Sequence, residues 1–122
     1  MLVDDDKFLL DIYALKFKES KCEVTADSDP VSALERLRKG FVPNIILLDI
    51  IMPNMSGFDF LETVKKENLA PDAAVIVLSN QGQDEDVKRA VDLGADGYIV
   101  KASAIPSEVL EKTLKFADNK NT

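Results

Sequence analysis

Apolar runs alternate with segments of helical period along the whole chain. Met1-Leu2-Val3 is a short apolar run that stops at Asp4-Asp5-Asp6. From Lys7 to Glu19, Phe8, Ile12 and Leu15 recur near i, i+4 and i+7, and Leu9, Tyr13 and Phe17 widen the stripe, which predicts a first helix. Cys22, Val24 and Ala26 alternate as in a short strand. Asp29-Pro30 reads as an N-cap followed by proline at the first helical position, Leu34 and Leu37 continue that helix, and Gly40 closes it. Asn44 to Ile50 is almost wholly apolar, as expected of a strand covered on both faces. Pro53 to Gly57 is a loop, and Ser56-Gly57-Phe58-Asp59 fits a helix start that buries Leu61 and Val64.

The second half repeats the pattern. Ala73 to Ser79 predicts another doubly covered strand, followed by a polar loop, Asn80 to Gln83, and a helix to about Leu93 closed by Gly94. Tyr98 to Lys101 predicts a fifth strand. Ile105 to about Ala117 predicts a last helix with Val109, Leu110, Thr113 and Leu114 facing inward, leaving Asp118 to Thr122 as a frayed tail. Five strands and five helices in strict alternation predict an α/β fold: a parallel sheet with helices on both faces. The 122 residues fit one domain, 1–122, with no linker or repeat.

Composition narrows the chemistry. With 15 Lys+Arg against 22 Asp+Glu the formal charge is −7, which argues against direct nucleic-acid binding by charge. The chain has no histidine, so a Ser-His-Asp triad, a His-ligated zinc site and a phosphohistidine on this chain are excluded. One cysteine, Cys22, excludes an internal disulfide and a Cys-cluster metal site. No apolar run has the length of a membrane span and no secretory leader is visible, so the expectation is a soluble cytoplasmic domain.

In a parallel sheet of this kind reactive residues gather at the carboxyl ends of the strands. Asp4-Asp5-Asp6, Asp49, Ser79-Asn80 and Lys101 each follow an apolar run. If the first and third strands are neighbours, Asp4, Asp5 and Asp49 meet within a few ångströms. Either one carboxylate then takes a proton or a cation binds, and an oxygen-only ligand set suits Mg²⁺ or Mn²⁺. Blander roles stand beside these. Asp6 suits the N-cap of the first helix, and Asp4 or Asp5 alone suits a turn. Lys101 either snorkels or pairs with a carboxylate or phosphoryl oxygen. Ser79 is a strand-end hydroxyl or a phosphoryl donor, and Tyr98 a packing aromatic or a switch.

Leu2-Val3-Asp4-Asp5-Asp6, Leu47 to Gly57 with its Asp-x-x-Met-Pro-x-Met-x-Gly pattern, Val77-Leu78-Ser79 and Gly94 to Lys101 together resemble the receiver domain of two-component response regulators, of the chemotaxis-regulator type. The resemblance implies a doubly wound, flavodoxin-like receiver fold with strand order 2-1-3-4-5. It implies that Asp49 is the phosphoacceptor, taking a phosphoryl group from the phosphohistidine of a sensor histidine kinase or phosphotransfer protein. Asp5 and Asp49 would ligate Mg²⁺ directly with the backbone carbonyl of Ile51, and Asp4 through bound water. Lys101 and Ser79 would contact the phosphoryl group, and Tyr98 would turn inward behind Ser79.

The readout would be the surface of the fourth helix, fifth strand and fifth helix. It would act by contact with a downstream protein, by a phosphoryl relay or by a phosphorylation-dependent homodimer, with no output domain following. The chain would catalyse its own phosphorylation and dephosphorylation without being a conventional enzyme. Ile51, apolar where many relatives are polar, implies slow loss of the phosphoryl group. Two other readings compete: a receiver-like binding module that is never phosphorylated, and a haloacid-dehalogenase-like phosphatase using Asp4 as nucleophile.

Overall fold

The computed structural model describes residues 1–120. Its elements run β1 (Leu2–Val3), α1 (Lys7–Glu19), β2 (Ala26–Asp27), α2 (Pro30–Arg38), β3 (Ile45–Leu48), α3 (Gly57–Lys66), β4 (Ala74–Ser79), α4 (Asp84–Asp92), β5 (Gly97–Val100) and α5 (Pro106–Lys120), with a single 3₁₀ turn at Lys101–Ser103. Among the described residues the strands form one parallel sheet in the order β2-β1-β3-β4-β5. This is the predicted α/β fold, and β1 and β3 are neighbours with Val3 opposite Leu48.

The helix starts follow the predicted chemistry. Asp6 accepts the Leu9 N–H, Asp29 accepts the Val31 N–H ahead of Pro30, and Ser56 accepts the Asp59 N–H. Gly40 and Gly94 both take positive φ just beyond a helix end, where a side chain would be strained.

Alternate strand residues feed two cores. Val3, Ile46, Leu48 and Val75 pack with Leu34, Leu37, Phe60 and Leu61 from α2 and α3. On the opposite face Leu2, Leu47, Ile76 and Ile99 meet Leu10, Tyr13 and Phe17 from α1 and Val109 and Ala117 from α5. α4 adds Ala90 against Ile50, Phe58 and Val77.

Several boundaries differ from the sequence reading. The second strand is not Cys22 to Ala26 but Ala26–Asp27, because only those residues lie opposite the two-residue β1. The third strand stops at Leu48, short of Ile50. The fifth strand ends at Val100, and Lys101 opens the 3₁₀ turn, so it leaves the sheet at the rim. The last helix continues to Lys120, whose ammonium lies 3.1 Å from Asp96, so Asp118 to Lys120 is helical instead of frayed. Asn121 and Thr122 lie outside the described residues.

The stripe Phe8, Ile12 and Leu15 does not face the core. Phe8 is 73% and Leu15 61% exposed, whereas Leu10, Tyr13 and Phe17 are buried. Two apolar stripes compete on α1, and the sheet covers only one of them.

Candidate functional site

β1 and β3 end side by side, and the chain turns into polar residues at the same level. Asp4 is 5% and Asp49 7% exposed, while Asp5 next to them is open to solvent. A carboxylate oxygen from each of Asp4, Asp5 and Asp49 lies within 4.8 Å of the other two. Asp6 turns away to cap α1. Two buried carboxylates so close are costly unless compensated.

Lys101 supplies part of the compensation. Its Nζ lies 2.7 Å from Asp4 Oδ2 and 3.1 Å from Asp49 Oδ2, with the lysine side chain itself buried. Burial works to lower the Lys101 ammonium, but its hydrogen bond to Asp4 and the charges of Asp49 and Asp4 outweigh it, so Lys101 stays protonated beyond the ordinary lysine range. Burial pushes Asp4 above the usual carboxylate range, against the pull of Lys101 and of the Asp6 N–H that donates to it at 3.0 Å. Asp49 Oδ1 accepts the N–H of Ile50 at 2.7 Å, which leaves Oδ2 toward Lys101.

With three carboxylates and one ammonium, the ionised pocket keeps two negative charges uncompensated. An all-oxygen donor set with that surplus fits a hard divalent cation such as Mg²⁺, through Asp4, Asp5 and Asp49.

Ser79 ends β4 at the same rim and is buried. Its Oγ accepts the Gln81 N–H at 3.2 Å, and the half-buried Tyr98 donates its hydroxyl to the Gln81 carbonyl. The two residues read as switch candidates therefore both bond the backbone of one residue of the β4–α4 loop, Gln81, through the successive peptides on either side of its Cα. Gln81 enters through its backbone, which no side-chain pattern announces. Ile51 lies in the loop after β3, beside Asp49, with its side chain 59% exposed. The sequence reading also missed the structural reason for Gly57.

Comparison with known proteins identifies the family and the fold. The family model described as "Response regulator receiver domain" matches residues 1–114. Chemotaxis protein CheY of Halobacterium salinarum is 30% identical over 107 residues, covering 88% of this chain and 87% of that protein. The phosphate regulon transcriptional regulatory protein PhoB of Escherichia coli is 29% identical over 112 residues, or 92% of this chain. This chain spans about half of PhoB, 48% of its length. The crystal structure of a CheY-like response regulator receiver domain protein from Methanospirillum hungatei JF-1 superposes with a TM-score of 0.87 at 28% identity, covering 98% of this chain and 93% of that one.

Proposed function

The chain belongs to the response regulator receiver domain family, and on that premise we propose that Asp49 accepts a phosphoryl group from a histidine of a separate protein. The carrying observation is the pocket itself: buried Asp49, two further carboxylates beside it and one lysine bridging Asp4 and Asp49. Family membership also sets aside the haloacid-dehalogenase alternative with Asp4 as nucleophile.

In the proposed step a bond forms between an Asp49 carboxylate oxygen and phosphorus while the phosphorus–nitrogen bond of the donor breaks. Asp49 is held for attack by its hydrogen bond to the Ile50 N–H. Lys101 already lies beside Asp49 and needs only to turn from Asp4 to meet the transferred oxygens. Asp5, Asp49 and the Ile51 carbonyl, with Asp4 beside them, would hold Mg²⁺, which would supply further neutralisation of charge on those oxygens.

The switch follows from the same atoms. Ser79 now accepts from Gln81, and its hydroxyl is the nearest strand-end donor on β4 for a phosphoryl group. Turning the Ser79 side chain toward the phosphoryl group would give up the Gln81 N–H, and the Gln81 backbone is also the anchor of the Tyr98 hydroxyl. Phosphorylation thereby biases the loop before α4 and the α4-β5-α5 surface toward one arrangement. That surface would meet a downstream protein or a second copy of the chain.

The donor in this reading is a sensor histidine kinase or phosphotransfer protein, and the chain would act beside it in the cytoplasm. Among the described residues no helix is long and apolar enough to cross a membrane. Phe8, Ile51 and Ile105 are exposed apolar side chains in the segments that follow β1, β3 and β5 at the carboxyl edge of the sheet, and Leu15 is exposed farther along α1. An apolar collar there suits the docking of a partner helix that carries the phosphohistidine.

The direct test is intact mass after incubation with acetyl phosphate and Mg²⁺. Wild type gains one phosphoryl group and Asp49→Ala gains none. Equal labelling of both proteins rejects Asp49 as the acceptor.

A further inference from the structure

The loop between β4 and α4 lies against the end of β5, and one glycine makes that approach possible. A Cβ built on Gly82 would lie 2.9 Å from Val100 Cγ2 and 3.3 Å from Val100 Cγ1, with the Val100 Cβ at 3.7 Å. Gly82 is itself exposed, and it does not take positive φ. A side chain at residue 82 is therefore refused by space and not by backbone conformation. Val100 cannot simply step aside. It is β-branched, and both of its methyls face residue 82. Only one staggered position on its Cβ is free of a methyl, so turning χ1 still leaves a methyl in that contact.

Three contacts converge on residues 81 and 82. The Gln81 N–H donates to Ser79 Oγ at 3.2 Å, the Tyr98 hydroxyl donates to the Gln81 carbonyl, and Gly82 rests on Val100. Val100 is opposite Ser79 in the sheet and directly precedes Lys101. The next loop residue, Gln83, starts α4 without a side-chain cap, and Ala90 is the only buried residue of α4. α4 is thus lightly held, and the position of its first turn depends on where the loop before it rests. We propose that Gly82 and Val100 form a steric seat for this loop: with no side chain at residue 82 the loop beds on β5 and keeps Gln81 where Ser79 and Tyr98 both bond it. The seat favours the arrangement in which Ser79 is engaged by Gln81. Ser79 gives up the Gln81 N–H when it turns to a phosphoryl group, so a firm seat raises the threshold for switching. This rests on the phosphoacceptor reading of Asp49 and adds what sets the balance of its switch.

Gly82→Ala and the double variant Gly82→Ala/Val100→Ala test the seat. Both are made in a Tyr13→Phe parent, which keeps the buried ring and leaves Tyr98 as the sole tyrosine of the chain. In Gly82→Ala the added methyl lifts the loop and Tyr98 loses cover. Its phenol, held up to about 12 by burial, then titrates closer to 10.0, as followed by tyrosinate absorbance. Labelling of Asp49 by acetyl phosphate with Mg²⁺ becomes about fivefold faster, the net worth of the one hydrogen bond that Ser79 no longer has to give up. In the double variant only the Cβ of residue 100 remains, at an ordinary contact distance of 3.7 Å, so the loop beds again and both readouts return toward the parent. If Gly82→Ala leaves the Tyr98 titration unchanged, or leaves labelling unchanged or slower, the proposal is overturned. It is overturned equally if the double variant keeps the values of the single one. If the parent itself is not labelled at Asp49, the phosphoacceptor reading fails, while the Tyr98 titration and its rescue still decide the seat.

Discussion

Gly57 lies directly against the backbone carbonyl of Asp49. A Cβ built on Gly57 would overlap that oxygen and crowd the Ile50 Cα, while the Gly57 N–H donates to the Ile50 carbonyl at 2.8 Å. The first residue of α3 thus clamps the end of β3, and the loop between them returns tightly enough to hold the Asp49 carboxylate in place. Gly57→Ala forces a Cβ, which has no rotamer to escape into, against the backbone of Asp49 and Ile50. The expected cost is about 1–3 kcal/mol, as for other overpacked sites. Urea denaturation measures it, and acetyl phosphate labelling of the variant slows because Asp49 moves. A variant as stable and as readily labelled as wild type would contradict the close approach.

Replacing Lys101 tests the charge balance of the pocket. Lys101→Met leaves Asp4 and Asp49 buried without their shared cation, and breaking a buried pair from one side costs about 3–5 kcal/mol. Added Mg²⁺ recovers part of the loss, so the melting temperature rises more with Mg²⁺ in the variant than in wild type. Thermal melts of both proteins, with Mg²⁺ and with a chelator, decide this. An equal Mg²⁺ effect on the two proteins would separate lysine from the metal site.

Phe8 and Phe17 stand on opposite faces of α1 and separate partner docking from folding. Phe17→Ser removes a buried ring and destabilises by about 3–5 kcal/mol. Phe8→Ser alters an exposed side chain and changes stability by less than about 0.5 kcal/mol. Labelling of Phe8→Ser by acetyl phosphate stays at the wild-type rate, while transfer from a phosphorylated donor protein slows. A Phe8→Ser protein that accepts from the donor as fast as wild type would remove the collar from the docking surface.

Tyr98 sets an alkaline limit. Burial, with Asp86 and Asp49 nearby, pushes its phenol up to about 12 from an ordinary 10.0. Between those values the folded chain holds a proton that the unfolded chain releases, so stability falls as pH rises through that window. Absorbance of the tyrosinate should show little ionisation at pH 10 in the folded protein. Gln81 binds Tyr98 through its carbonyl, so no side-chain change at Gln81 removes the effect, whereas Tyr98→Phe abolishes it. Tyrosinate formation already half complete for Tyr98 near pH 10 would place it in open solvent.

The alternation of apolar runs with helical periods was enough to specify a doubly wound sheet. The β4 run buries both faces and the starts of α1, α2 and α3 carry capping side chains, and both are local features. The acid cluster was legible for a related reason. In a parallel sheet all strands end at one rim, so residues following separate apolar runs must meet. The inward face of α1 was not legible, since Phe8-Ile12-Leu15 and Leu10-Tyr13-Phe17 both satisfy a helical period and only the angle at which α1 docks on the sheet selects between them. Strand lengths were not legible either, because each is set by the partner opposite, as the two-residue β1 does for β2.

The sequence by itself therefore determined the layer architecture, the helix caps and the membership of the carboxylate cluster, because these depend on neighbours in the chain or on strand ends that the topology lines up. Tertiary structure alone decided that Lys101 bridges Asp4 and Asp49, and that Ser79 and Tyr98 both bond the backbone of Gln81. Those are contacts between groups distant in the chain, made through backbone atoms or long side chains whose direction is set only when the elements pack.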